Sequence, residues 1–230
     1  MPSRLALIAL LFAFAAMPAA GQGMDYFFPE GTTFEAGIPS PQEFLGYEIG
    51  SFHTRHDRIV SYMQTLAALS DRASYRSIGM TYEHRPMPVL SVSSRENMSR
   101  LEDIRLRHLA SIEQAGPPAE GLPAIVHLGY GVHGNETSSA EAAMLTAYWL
   151  VAGTGPEMDA IRRQGVFHVE PVLNPDGRDR HTQWANSNRA QPFVADPLDR
   201  EHNEVWPSGR TNHYWFDLNR DWLPLVNPES

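Results

Sequence analysis

The run Pro123–Val151, PAIVHLGYGVHGNETSSAEAAMLTAYWLV, admits few folds. Ala124 to Leu128 is short, apolar and β-branched at Ile125 and Val126, with Pro123 before it and Gly129 and Gly131 after it, the pattern of a buried strand. Ser138 and Glu141 have the spacing of a capping box, and Ala142, Ala143, Met144, Leu145 and Ala147 favour a helix over about 139–151, stopped by Gly153. His133 and Glu136 then fall on the turn between them, at the carboxyl end of a strand, where open α/β sheets place ligands. An imidazole and a carboxylate three residues apart can converge on one metal ion. Zinc takes such ligands, and a catalytic zinc needs three from the protein, so one more is required. The bland alternative is a polar turn with Glu136 in solvent. Gly129, Gly131 and Gly134 also spell G-x-G-x-x-G, the dinucleotide fingerprint. That motif wants an acid about twenty residues on, at the end of the next strand, whereas the candidate strand Val166–Val169 meets its first acid only at Glu170.

Earlier in the chain, Arg4, the apolar run Leu5–Met17 and Pro18-Ala19-Ala20-Gly21 form the three regions of a secretory signal peptide, giving a leader over 1–21 and a secreted or periplasmic mature chain. That run is short for a membrane span and no later segment approaches the required ~20 residues, so no stable membrane insertion is expected after cleavage. No cysteine is present, which leaves neither disulfides nor thiolate ligands. The formal charge is −9, one unit more negative once Arg4 is removed, and disfavours nucleic acid or an anionic membrane as partner. An apolar fraction of 42% is ordinary for a globular protein, and about 200 mature residues suffice for one α/β domain.

Residues 22–50 mix proline, glycine and aromatics without period and read as a lead-in along the domain surface. A helix is expected over His56–Leu69, a strand pair over Ser74–Met80 and Met87–Val92, and a helix over Met98–Ala115 ended by Gly116-Pro117-Pro118. Glu157–Gln164 should add a helix and Gly165–Leu173 a strand parallel to the first, joined by a right-handed crossover. Beyond Asn174-Pro175-Asp176-Gly177-Arg178, up to Phe216, no apolar period is sustained. A stretch that long is usually functional or disordered, and its tryptophans argue against disorder. It holds His181, His202 and His213 as possible ligands; the acids Asp196, Asp199, Glu201 and Glu204 lack the spacing of a calcium loop. Next comes Asp217-Leu218-Asn219-Arg220. The fork of Arg220 can give a carboxylate two hydrogen bonds and Asn219 a third, unless Arg220 simply pairs with Asp217 or Asp221.

Taken in order, His-Gly-Asn-Glu at 133–136, Asn-Pro-Asp-Gly at 174–177 and Asp-Leu-Asn-Arg at 217–220 closely resemble the zinc metallocarboxypeptidases typified by carboxypeptidase A. The resemblance spans roughly Ser74–Trp222. It implies a three-layer α/β/α fold with a mixed, partly parallel sheet, over a domain placed here at 51–230. It also implies Zn2+ held by His133 and Glu136, and a peptide or protein substrate whose free C-terminal carboxylate meets Asn219 and Arg220. By the family's mechanism, zinc and a glutamate base activate water against the last peptide bond.

Several departures qualify the resemblance. The oxyanion-stabilising arginine that follows a tryptophan in some members has no match after Trp184, where Ala185 stands, and Asn135 replaces an arginine found between the ligands in others; Arg178 or Arg180 is the candidate substitute. The family's third zinc ligand, a substrate-closing tyrosine and the catalytic glutamate all follow the Asn-Arg pair. No catalytic residue is therefore assigned within these residues, which read as the N-terminal portion of a larger enzyme, inactive or weak alone. An N-acyl amino acid hydrolase of the aspartoacylase type shares two of the three motifs, and a noncatalytic carboxylate- or peptide-binding module needs only Asn219 and Arg220.

Overall fold

A computed structural model describes residues 23–113, 120–191 and 194–230; the leader assigned to 1–21 lies outside them. The chain divides into two compact units, Met1–Glu30 and Gly31–Ser230. In the first, a 3-10 turn over Met24–Phe27 sets the rings of Tyr26 and Phe27 edge to face. The second is a mixed α/β fold that already includes much of the expected lead-in. Phe34 bridges Gly153, the Tyr62 hydroxyl donates to Pro39 O at 3.0 Å, and Ile38, Leu45 and Ile49 are buried. A short helix α1 (Pro41–Leu45) starts there on a formed capping box between Ser40 and Glu43.

Helix α2 (His56–Leu69) turns Ile59, Val60, Tyr62, Met63 and Leu66 inward. Burial of each such side chain is worth about 1.5–3 kcal/mol relative to exposure. Strands β1 (Ala73–Met80) and β2 (Pro86–Val92) pair antiparallel, as the alternating runs predict. The helix expected over 98–115 is two helices, α3 (Arg95–Ser99) and α4 (Leu101–Glu113), with Arg100 out of helical geometry between them. Ser94 caps α3, and the buried Asn97 amide donates to Arg162 O at 3.3 Å and Arg163 O at 3.0 Å. That fixed polar anchor sets the direction of α3 independently of the apolar period. The proposed stop at Gly116-Pro117-Pro118 is outside the described residues.

Strand β3 (Ala124–Gly129) leads through α5 (Ser139–Ala152) and α6 (Pro156–Gln164) to β4 (Gly165–Glu170), which pairs parallel to β3 and antiparallel to β2. The sheet order is β1-β2-β4-β3. Helices α2 and α5 pack on each other and against this sheet, burying Leu90, Val92, Met144, Val151 and Val169. The strand expected to be buried is instead an edge. Among the described residues β3 has a partner on one side only, and Ile125 is 43% exposed. The capping box expected at Ser138 and Glu141 does not form either. Ser138 has helical backbone angles and makes no cap bond, because Glu141 is drawn into a buried ion pair.

The largest difference is helix α7, Pro175–Asn188, where no period was visible. Asn174 caps it by accepting from Gly177 N at 2.9 Å, and Pro175 occupies the first turn, where its missing N–H is harmless. Its buried stripe has helical spacing, but the residues are Arg178, His181, Thr182 and Ala185, so an apolar search passes over it. The segment before α2 packs here. Asn186 and the His53 backbone exchange hydrogen bonds of 2.8 and 3.1 Å, and the His53 and His181 rings meet edge to face.

Burial, followed by the positive charges of His181, Arg178 and Arg189, pushes His53 down to about 4. The unfolded chain takes up that proton near the ordinary histidine value of ~6.5, whereas the folded chain resists until about 4. Stability is therefore expected to fall as pH drops across this window and His53→Gln to flatten the fall, as read by urea midpoints from pH 7.5 to 4.5. Equal slopes in both proteins would contradict this.

Candidate metal centre

Past its last residue, β3 stays tied to the chain leaving β4. Tyr130 N donates to Glu170 O at 3.0 Å, Leu173 N to Tyr130 O at 2.8 Å, and Asn174 N to Gly131 O at 3.1 Å. Gly131 takes φ +64°, a value that favours glycine, and turns the chain into 132–136. The turn then lies directly on the start of α7. A methyl group on Gly134 would overlap the carbonyl carbon of Gly177 and the amide nitrogen of Arg178. One on Gly177 would overlap Gly209 O in turn, and one on Gly209 the carbonyl of Gly177 and Cβ of His181. Three backbones thus stack in sequence, the turn on α7 and α7 on the loop at 209, wherever a side chain is absent.

This stack sets the ring of His133, which is 5% exposed, between two carboxylates. Its Nδ1 is 2.8 Å from Glu136 Oε1 and its Nε2 is 2.9 Å from Asp217 Oδ1. A neutral imidazole donates through one nitrogen only. With Nε2 donating to Asp217, Nδ1 is left as an acceptor beside the Glu136 carboxylate, and His133 and Glu136 would be the residues to hold a divalent cation. The donor set, one imidazole nitrogen and one carboxylate oxygen with a carboxylate behind the ring, fits zinc. Among the described residues no group of three or more His, Cys, Asp or Glu is arranged to hold a metal, so a third ligand is not supplied there.

Asp217 was not singled out from the sequence as the partner of His133. Its Oδ1 also accepts from Asn219 N at 3.0 Å and its Oδ2 from Arg210 Nη2 at 2.9 Å. Burial works to raise its pKa, but the bonds from His133, Arg210 and the Asn219 amide outweigh this and hold the carboxyl below its usual range. Glu204, also missed, braces the turn from the opposite side. It accepts from Asn135 Nδ2 at 3.1 Å and Gly209 N at 2.7 Å. His181 Nδ1 lies 3.4 Å from Glu204, short of a formed hydrogen bond. Burial pushes Glu204 up, and His181, the Gly209 amide and Asn135 bring it below the ordinary value.

Arg220 is exposed, and no carboxylate pairs with it among the described residues; its Nη1 reaches only Asn219 O, at 3.0 Å. Asp217 faces His133 and Arg210, and Asp221 accepts from the amides of Val226 and Asn227. Trp222 Nε1, which can only donate, holds Asn219 Oδ1 at 2.8 Å, so the Asn219 amide N–H groups point elsewhere. Arg178 is placed differently, only 2% exposed. Its Nη2 binds Glu141 at 2.6 Å, its Nε binds Thr54 O at 3.0 Å, and its Nη1 lies 3.5 Å from Thr137 O. Arg180 donates to Ser208 O and Asn212 O. His202 bonds to Val194 O and His213 to Glu83, both away from the His133 ring.

The profile of the zinc carboxypeptidases matches residues 59–229. The chain belongs to the zinc carboxypeptidase family. Carboxypeptidase Z of Mus musculus and that of Rattus norvegicus are each 24% identical over 198 residues, covering 84% of this chain and 24% of theirs. Among solved structures, carboxypeptidase A from Helicoverpa armigera aligns over 69% of this chain and 33% of its own at 18% identity, with a TM-score of 0.44. Thrombin-activatable fibrinolysis inhibitor aligns over 77% of this chain and 41% of its own at 16% identity, with a TM-score of 0.45. The chain thus spans about a quarter of the length of these curated relatives and holds part of a zinc carboxypeptidase catalytic domain.

In this chain Gly134→Ala is expected to cost at least about 1–3 kcal/mol, because rigid backbone and not a yielding side chain opposes the methyl group. Arg178→Leu should cost about 3–5 kcal/mol by leaving Glu141 buried and unpaired, and adding Glu141→Leu should recover part of that. Urea unfolding of these three variants beside the unaltered chain checks both.

Proposed function

We propose that this chain carries the zinc-binding and carboxylate-recognising part of a metallocarboxypeptidase that removes C-terminal residues from peptides. The observation that carries the reading is the convergence of His133 Nδ1 and Glu136 Oε1, with Asp217 fixing the ring from behind. His133 and Glu136 would hold the metal. Bound zinc supplies a Lewis acid that polarises a carbonyl and makes water a nucleophile near neutral pH. The remaining work falls to the chain. Asp217 keeps the Nε2 proton of His133 in place so that Nδ1 stays turned to the metal position. Arg220, exposed and among the described residues without a carboxylate partner, and the Asn219 amide receive the terminal carboxylate of the peptide and so select for a free C-terminus. Arg178 serves the site indirectly, by holding α5 and the turn before it against α7.

Two protein ligands are one fewer than a catalytic zinc requires, and no general base is assigned among the described residues. Hydrolysis by these residues alone is accordingly weak or absent in this reading, and turnover belongs to a chain that supplies a third ligand and a base. The signal-like leader favours action in a secreted or periplasmic setting. A second reading, a noncatalytic binder of peptide C-termini, is favoured by the exposed guanidinium of Arg220, which has no carboxylate partner among the described residues.

Zinc affinity by chelator competition, and binding of a blocked dipeptide as free acid and as amide, separate these readings. The metallocarboxypeptidase reading expects weak zinc binding that His133→Gln abolishes, and acid-selective peptide binding that Arg220→Ala weakens tenfold or more, the scale of a lost charge-assisted bond. The binding-module reading expects the same acid selectivity with no zinc bound. Equal binding of acid and amide would remove both.

A further inference from the structure

Away from the 133–136 turn, four arginines, Arg72, Arg95, Arg162 and Arg163, line one hollow of about 270 Å³ against two acids, Glu96 and Asp159. Like charges resist such a gathering, and the backbone enforces it. Ser93 N donates to Arg72 O and Ser94 N to Arg162 O, both at 3.0 Å, while the Asn97 amide reaches Arg162 O and Arg163 O. The turn before β1, the start of α3 and the end of α6 are thereby tied together around the hollow. A guanidinium carries five N–H donors, and among the described residues Arg95 gives only Nε, to Asp71 at 2.6 Å, and Arg72 only Nη1, to Glu35 and Val151 O. Arg163 is exposed, and no ion pair or side-chain hydrogen bond holds it among the described residues. Arg162 differs. Only 2% exposed, it commits Nη1 to Leu150 O and Gly153 O and Nη2 to Asp159, each at 2.9 Å, and so lends the wall its charge. The bond from Arg162, and behind it the charges of Arg162, Arg163 and Arg72, hold the Asp159 carboxyl below its usual range.

We propose that this hollow binds a tetrahedral oxyanion of the phosphate type, with Arg95 and Arg163 as the residues that close on it. Four guanidinium groups against two carboxylates leave a surplus of two positive charges, which matches a dianion. The planar fork of arginine meets phosphate oxygens two at a time. The volume falls below the roughly 300–1,000 Å³ of pockets that enclose a drug-sized molecule, so the hollow takes an anionic group and not a whole large ligand. Arg162 reaches the last carbonyls of α5, whereas the 133–136 turn precedes the first residue of that 14-residue helix, about 20 Å away at ~1.5 Å per residue. The inference shares no residue with the metal reading and stands without it.

Calorimetric titration with inorganic phosphate at low salt tests it on the unaltered chain, Arg95→Gln, Arg163→Gln and Arg105→Gln. The last removes the same charge from an exposed arginine of α4, whose pairing with Glu102 lies outside the hollow. Phosphate should bind at one per chain. Arg95→Gln and Arg163→Gln should each weaken it about tenfold, the scale of one charge-assisted bond, and Arg105→Gln should leave it within twofold. Unfolding midpoints in urea should stay close to that of the unaltered chain, because the side chains replaced are exposed. Phenyl phosphate, titrated beside the free ion, tells the two sources apart: equal or tighter binding supports a phosphomonoester as the occupant, and a tenfold loss supports the free ion. The proposal is overturned if phosphate does not bind, or if Arg105→Gln weakens it as much as Arg95→Gln and Arg163→Gln do. It is equally overturned if acetate binds as tightly as phosphate, or if the weakening merely follows a loss of folded protein.

Discussion

Everything at the candidate centre depends on backbone lying against backbone. Gly134, Gly177 and Gly209 come from a turn, a helix start and a loop, and at each a single methyl group would force the layers apart. Contact of this kind sets spacing more stiffly than side-chain packing, because a main chain has no rotamer with which to yield. The His133 ring, the Asn174 cap and the Glu204 brace are all positioned by it, since each belongs to one layer and bonds to another.

Beside the glycine stack, α5 and α7 meet through Glu141, Arg178 and the backbone of Thr54, with bonds of 2.6 to 3.0 Å in a region closed to solvent. Apolar side chains of similar volume could give as much stability, since burying two charges is costly. Directed bonds do something that apolar contact does not: the guanidinium fork has one orientation in which its nitrogens meet these acceptors. The elements on either side of the turn are thereby held in register where small displacements would separate His133 from Glu136.

The sequence made the β1–β2 pair, the parallel crossover from β3 to β4 and the motif residues legible because β-strand runs, glycine punctuation and the helix of α2 all express local patterning, while the edge position of β3 was not among these readings. It concealed α7, whose buried face is Arg178, His181, Thr182 and Ala185, a stripe with helical spacing and polar content. The capping box at Ser138 and Glu141 misled for a related reason. The local rule holds only while no distant residue competes for the carboxylate, and Arg178 does. Asp217 stood in full view within Asp-Leu-Asn-Arg, yet its tie to His133 crosses 84 positions and leaves no local pattern. Glu204 stood out only as one of four acids without calcium-loop spacing, because its bonds to Asn135 and Gly209 come from where the loop lies.

These separations bear on how the molecule assembles. His133 meets Asp217 across 84 positions, Asn135 meets Glu204 across 69, Thr54 meets Glu141 across 87 and His53 meets Asn186 across 133. The β1–β2 hairpin can close over a few residues, while the centre, like the pairing of Leu90 with Val169, joins parts of the chain about eighty positions apart, and that loop entropy must be overcome before any of its bonds forms. The centre therefore cannot form from local contacts alone. An ion that ties His133 to Glu136 would add one more closure to this long-range set and act as a fastener on it.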